Sequence, residues 1–134
     1  DKGLFLLART SNPGAAAFQE LLVEGGEALY LRVARECLSW SPAVGLVVAG
    51  NDLAALRAIR AAAPGAWFLS PGIGTQGGEA GAAFAAGARA DGAGILVVAA
   101  RAVAEAPEPA RAAEALRDAM RRARDEALKG GGSP

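Results

Sequence analysis

A chain of 134 residues is long enough for one domain with its own core, and an apolar share of 52% excludes intrinsic disorder. Formal net charge is zero and no run of Lys or Arg stands out, which argues against nucleic acid as the main partner. There is no histidine and a single cysteine, Cys37, so His-based acid–base chemistry, His metal ligands and an internal disulfide are excluded within these residues. Twelve of the fourteen basic residues are Arg and alanine is abundant, which reads as GC-rich coding and not as function. The apolar runs fall short of the roughly 20 residues a bilayer span needs, and no secretory signal is visible. The expectation is a soluble, cytoplasmic protein with no membrane partner.

Leu4-Phe5-Leu6-Leu7-Ala8 is a continuous apolar run, as expected of a strand buried on both faces. Asn12-Pro13 then supplies an N-cap and a favoured first helical residue, predicting a helix from Pro13 to Leu22 that stops near Gly25-Gly26. A second helix is predicted from Glu27 to Ser39, with Leu29, Val33 and Cys37 on one face, broken by Ser41-Pro42. The run Gly45 to Ala49 is the second strand, Asn51 caps a helix over Asp52 to Ala63, and Leu53, Leu56 and Ile59 face the sheet. A third strand, Ala66 to Leu69, leads into a glycine-rich loop and a helix from Gly78 to Ala86, with Gly87 as C-cap. The fourth strand is Gly94 to Val98. A helical turn over Ala102 to Ala106 and a last helix from Glu108 to Leu128 follow. On that helix Arg117, Arg121 and Arg124 should form a solvated, i,i+4-paired face with Glu114, Asp118 and Asp125. Residues 129–134 are expected to be a disordered tail.

Four βα repeats mean a parallel sheet with crossover helices. Two α/β architectures fit: an open doubly wound sheet, or part of a (β/α)8 TIM barrel. A whole barrel takes about 250 residues, so this chain is half of one at most.

The stretch that organises the rest is Ser70-Pro71-Gly72-Ile73-Gly74-Thr75-Gln76-Gly77-Gly78. Its glycines permit positive φ and close backbone approach, and free N–H groups at the next helix start suit an anion, usually phosphate. Gln76 is the long polar side chain positioned to reach a ligand. A tight turn and nothing more is the plain alternative, and Gly77-Gly78 then serves close helix packing. Ser11, Asn51, the Pro71–Gln76 loop and Arg101 all follow strands, at the C-terminal ends where either architecture puts its ligand. Arg101 can take a phosphate bidentately while the N–H groups of Ala100 and Arg101 donate to it. Each residue has a structural alternative: Arg101 as a surface residue at a helix start, Ser11 as a turn residue, Asn51 as a cap.

Leu7-Ala8-Arg9-Thr10-Ser11-Asn12-Pro13-Gly14-Ala15, Val44-Gly45-Leu46-Val47-Val48, Pro71-Gly72-Ile73-Gly74-Thr75-Gln76-Gly77-Gly78 and the strand ending in Arg101 together resemble orotidine 5′-phosphate decarboxylase of the longer bacterial type. The resemblance runs to about Arg122. It implies a TIM barrel of which residues 1–128 are the C-terminal half, strands five to eight. It further implies conversion of orotidine 5′-monophosphate (OMP) to UMP and CO2 in pyrimidine biosynthesis, without cofactor or metal. In that reading Ser11 binds the pyrimidine, Gln76 bridges pyrimidine and phosphate, Pro71 lines the pocket, and Gly72, Gly74, Ala100 and Arg101 hold the phosphate. Asn51 stands where relatives have Thr, and Ala99-Ala100 where many have Gly or Ser.

The family's catalytic Asp-x-Lys-x-x-Asp cluster is not among these residues: the lysines are Lys2 and Lys129, and neither sits in that spacing. The resemblance therefore implies that the catalytic Lys and Asp lie upstream of residue 1, that one Asp comes from a homodimer partner, and that this chain alone is inactive. A half barrel leaves open sheet edges and an apolar strand face, so association with the complementary N-terminal half or with itself is expected. Two alternatives remain from the residues themselves: a non-catalytic phosphate- or nucleotide-binding half-barrel module, or another phosphate-binding barrel enzyme.

Overall fold

The computed structural model describes residues 2–74 and 78–130. Its strands are β1 (Leu4–Arg9), β2 (Val44–Val48), β3 (Phe68–Ser70) and β4 (Ile95–Val97). Its helices are α1 (Ala16–Gln19), α2 (Leu29–Trp40), α3 (Leu53–Ala62), α4 (Ala80–Gly87), α5 (Arg101–Ala104) and α6 (Pro109–Gly130). All strand pairs are parallel, and the spatial order β1-β2-β3-β4 repeats the chain order. With right-handed crossovers, such an order sends every connecting helix to the same face of the sheet. A doubly wound sheet would reverse direction partway and cover both faces. Of the two expected architectures, the order is that of a barrel wall.

The register separates the two faces. Leu6, Leu46, Phe68 and Ile95 form one row across the strands, and Leu46 and Phe68 are fully buried in the core under the helices. The next row, Leu7, Val47, Leu69 and Leu96, points the other way, and there Leu7 is 61% and Leu96 47% exposed. Helices α2 and α3 pack Ala34, Cys37, Leu56 and Ile59 into the core, at the helical spacing expected of their apolar faces. Burying a side chain the size of Leu56 or Ile59 is worth roughly 2 kcal/mol. Helix α4 is built of small residues because it lies against neighbours on several sides. A Cβ on Gly81 would sit 3.3 Å from the Ala119 carbonyl of α6, and one on Gly87 would meet Ile95 and Leu56 at 2.6 and 3.0 Å.

Several local expectations change. The helix predicted from Pro13 to Leu22 shrinks to α1, because the Asn12 side chain accepts from the Thr10 hydroxyl (2.6 Å) instead of capping a helix. Residues 20–28 turn back on themselves: Leu22 bridges Ala28 antiparallel, Val23 N–H donates to Glu27, and Gly25 and Gly26 supply positive φ of 93° and 76°. Asp52, not Asn51, caps α3, accepting from Ala55 N–H at 3.0 Å. Gly87 is the last residue of α4 and not its C-cap; its carbonyl is taken by the Arg60 guanidinium. On α6 the acidic partners are immediate or i,i+3 neighbours, Arg117 and Arg121 with Asp118 and Arg124 with Asp125, not i,i+4 ones. The helix runs on through Lys129 to Gly130, beyond the expected end at Leu128.

Candidate functional site

The site is assembled where the strands end. Ala49 N–H donates to the Arg9 carbonyl (3.0 Å), Gly50 N–H to the Pro71 carbonyl (2.6 Å) and Val98 N–H to the Ser70 carbonyl (2.9 Å). These bonds carry the sheet ladder past the strands and tie the loops after β1, β2, β3 and β4 into one rim. Glycines make that rim tight. A Cβ on Gly50 would lie 2.7 Å from Ile73 Cδ1 and 3.1 Å from the Pro71 carbonyl. One on Gly78 would lie 2.6 Å from the Gly72 carbonyl and 3.1 Å from that of Gly50.

The described residues of the loop after β3 are tied to one another. Gly72 and Gly74 have φ of 98° and 79°, Gly78 N–H donates to Gly72 (3.2 Å), Gly74 N–H donates to Gly78 (2.8 Å), and Ile73 is buried beneath as an anchor. A Cβ on Gly74 would fall 2.6 Å from Ala102 Cβ, so the loop rests on α5. That contact brings the glycine loop beside Arg101, the first residue of α5. Arg101 is exposed and makes no ion pair among the described residues. Among those residues, the N–H groups of Ala100 and Arg101 donate to no backbone carbonyl. Pro71 is half-buried in the rim. Thr75, Gln76 and Gly77 lie outside the described residues, and with them the expected ligand contact of Gln76.

On the other side of the rim, Ser11 and Asn51 meet: Asn51 Nδ2 donates to the Ser11 carbonyl at 3.4 Å. Both line a polar cleft of about 230 Å3 with Arg9, Thr10, Asn12 and Asp52. Thr10 is fixed there by Gln19, which accepts from its N–H (3.0 Å) and donates to its hydroxyl (2.9 Å).

Sequence reasoning missed Arg9. It ends β1 after a register shift at residue 8, and it is only 6% exposed. Its Nε donates to Asp52 Oδ2 (2.8 Å), its Nη2 to Glu20 Oε1 (2.5 Å), and its guanidinium lies 5.5 Å from the Tyr30 ring centre. Burial pulls its pKa down, but the hydrogen bonds and charges of Asp52 and then Glu20 outweigh that, and the net direction is upward. Burial likewise raises the Tyr30 phenol, with the Asp52 charge adding and the Arg9 charge opposing. The available signal was a charge closing an apolar run, with an Asp closing the next connection.

The lysines are elsewhere. Lys2 precedes β1, at the opposite end of the sheet. Lys129 follows Leu128, whose side chain reaches Gly92 just before β4 begins, so it too lies at the end where strands start.

Comparison with known proteins matches this architecture. Residues 1–116 fit the profile of the orotidine 5′-phosphate decarboxylase / HUMPS family. An orotidine 5′-phosphate decarboxylase of Thermomicrobium roseum is 44% identical over 129 residues, 93% of this chain and 46% of the relative. The chain thus spans about half the length of the curated relatives it matches. Among solved structures, Leishmania donovani OMP decarboxylase superposes with a TM-score of 0.82 at 40% identity, over 92% of this chain and 49% of that one. Leishmania donovani UMP synthase does so with 0.84 at 43% identity, over 92% of this chain and 28% of that one. The sequential parallel strands, the glycine loop resting on α5 and these matches agree: the chain belongs to the orotidine 5′-phosphate decarboxylase / HUMPS family.

Proposed function

We propose that this chain is the phosphate- and pyrimidine-binding half of an orotidine 5′-phosphate decarboxylase, strands five to eight of a (β/α)8 barrel spanning residues 1–128. The observation that carries the reading is a division of labour along the sheet. Groups suited to a nucleotide gather where the strands end, while Lys2 and Lys129 both lie at the other end. Decarboxylation breaks the bond from C6 of the pyrimidine to its carboxylate, releases CO2 and leaves the electron pair on C6. An ammonium beside C6 stabilises that charge and then delivers its proton there. Neither lysine of this chain reaches the strand ends, so the proton donor comes from the complementary half, and an acidic residue from a dimer partner completes the site.

The residues here supply the rest. Arg101 takes the 5′-phosphate together with the N–H groups of Ala100 and Arg101, and the positive-φ glycines Gly72 and Gly74 let the loop wall approach it. Ser11 contacts the base, Pro71 lines the pocket, and Gln76 bridges the two ends. Phosphate binding far from C6 contributes energy that organises the reacting end. Isothermal titration with UMP and ribose 5-phosphate tests the assignment. UMP should bind more tightly than the sugar phosphate, and Arg101→Ala should weaken both by about tenfold or more, as expected for a charge-assisted bidentate contact. Equal binding of the two ligands would contradict a base site at Ser11 and favour another phosphate-binding barrel enzyme.

A further inference from the structure

We infer that Arg9 is a positioning residue for the base-binding side of the site: it locks the loop that carries Ser11 to the cap of α3. The inference rests on the functional reading above only for the identity of the ligand. Arg9 stands two residues before Ser11 and sends one donor to each of two separate elements, Glu20 beyond α1 and Asp52 at the start of α3. Asp52 is engaged through both oxygens: Oδ2 accepts from Arg9 and Oδ1 from Ala55 N–H. Its neighbour Asn51 holds the Ser11 carbonyl. Arg9, Asp52, Asn51 and Ser11 therefore form a closed circuit across two loops, and a shift of the guanidinium is passed to Ser11 from both directions.

Burial stiffens the circuit at Arg9. A guanidinium this enclosed, beside the Tyr30 ring, is held by a planar fork that an ammonium cannot reproduce. Among the described residues Nη1 has no hydrogen-bond partner, so the hydrogen bonds that hold the guanidinium go to the two carboxylates. By contrast, the phosphate side of the site hangs on β3, β4 and α5, and among the described residues none of its side chains hydrogen-bonds or ion-pairs with Arg9. Loss of Arg9 should thus harm base recognition and spare phosphate recognition, a separation that a general loss of stability does not produce.

The experiment uses the barrel assembled with its N-terminal half and two probes, UMP and ribose 5-phosphate. Arg9→Met should weaken UMP by about tenfold, as a small displacement of a positioned group does, and leave ribose 5-phosphate within about twofold. Arg60→Lys, at the far end of the sheet, serves as a destabilised control and should leave the ratio of the two affinities unchanged. Asp52→Asn retains a capping side chain for α3 while removing one charge from Arg9, and should shift the ratio in the same direction should Arg9→Met fail to fold. Amide exchange read without ligand should quicken at residues 10–12 and stay constant at 95–98. An unchanged affinity ratio in both variants, or a parallel loss for both ligands, overturns the inference. Where the unsubstituted protein shows no preference for UMP, the functional reading falls, and the exchange pattern still decides whether Arg9 holds the Ser11 loop.

Discussion

Replacing Arg60 with Met tests how the end of the sheet opposite the site is held. Arg60 Nε and Nη2 donate to the Gly87 carbonyl (2.9 and 2.6 Å), Nη2 also to Gly94 (3.0 Å), and Nη1 to Ala66 (2.7 Å), Pro64 (3.1 Å) and Ala63 (3.3 Å). The guanidinium also lies 3.9 Å from the centre of the buried Phe68 ring. One side chain thus closes the C-terminal ends of α3 and α4 and the starts of β3 and β4. Burial lowers its pKa to about 10, with Arg89 repelling it and Asp91 partly compensating, which still leaves it charged at neutral pH. Methionine keeps the apolar stem over Phe68 and removes every donor. Three carbonyls bonded at 3.0 Å or less would lose the guanidinium, at about 1 kcal/mol each: those of Gly87 and Ala66 are left to partial hydration, while that of Gly94 keeps the Phe68 N–H. The expected loss is about 3 kcal/mol, or about 10 °C in Tm for a domain of this size. Thermal unfolding by circular dichroism at neutral pH measures it, with Arg89→Met as reference, since the Arg89–Asp91 pair lies at the surface, where solvent screens it. A shift of Arg60→Met no larger than that of Arg89→Met would refute the reasoning.

Three further outcomes follow from single residues. Gly74→Ala forces a side chain into φ of 79° and onto Ala102, so phosphate affinity should fall by about tenfold; the strain alone is about 1–2 kcal/mol, and unchanged titration isotherms would show that the loop need not rest on α5. Ser70 is fully buried, and among the described residues its hydroxyl has no partner. Ser70→Ala should therefore be neutral or stabilising by up to about 1 kcal/mol in urea unfolding, whereas a clear loss would reveal a hydrogen bond to that oxygen. Tyr30 is the one tyrosine, so its phenolate absorbance reports it alone. Its folded pKa is raised above 10.0, so its stabilising contribution is complete below pH 10 and is lost as pH rises through the folded value. Arg9→Met should move the midpoint higher still, because the Arg9 charge opposes the shift, and a lower midpoint would contradict the geometry.

Strands were legible where the apolar runs were continuous: Leu4–Arg9 and Val44–Val48 lie within a residue or so of their runs, although β1 is not buried on both faces as expected, since Leu4, Phe5 and Leu7 are exposed. Apolar periodicity likewise placed Cys37, Leu56 and Ile59 in the core. The Asn12-Pro13 start misled, since a short polar side chain has local partners as good as a helix end, and Asn12 took Thr10. Asn51 and Asp52 were both capable caps, and the choice fell to Asp52, the one that also binds Arg9. Ser11, the glycine loop and Arg101 could be placed from sequence because they follow strands, and strand ends converge in any parallel sheet. The Arg9 circuit could not, because its partners lie 11 and 43 residues away and only the folded register brings them together.

The central claim is that nucleotide-binding groups reside in this chain and the proton donor does not. It is tested most directly by OMP decarboxylation with the purified chain alone and after mixing with an N-terminal half that carries an Asp-x-Lys-x-x-Asp segment. The account predicts no turnover from either piece, turnover from the mixture, and loss of that turnover with Arg101→Ala. Turnover by the chain alone, or activity of the mixture that is indifferent to Arg101, would contradict it.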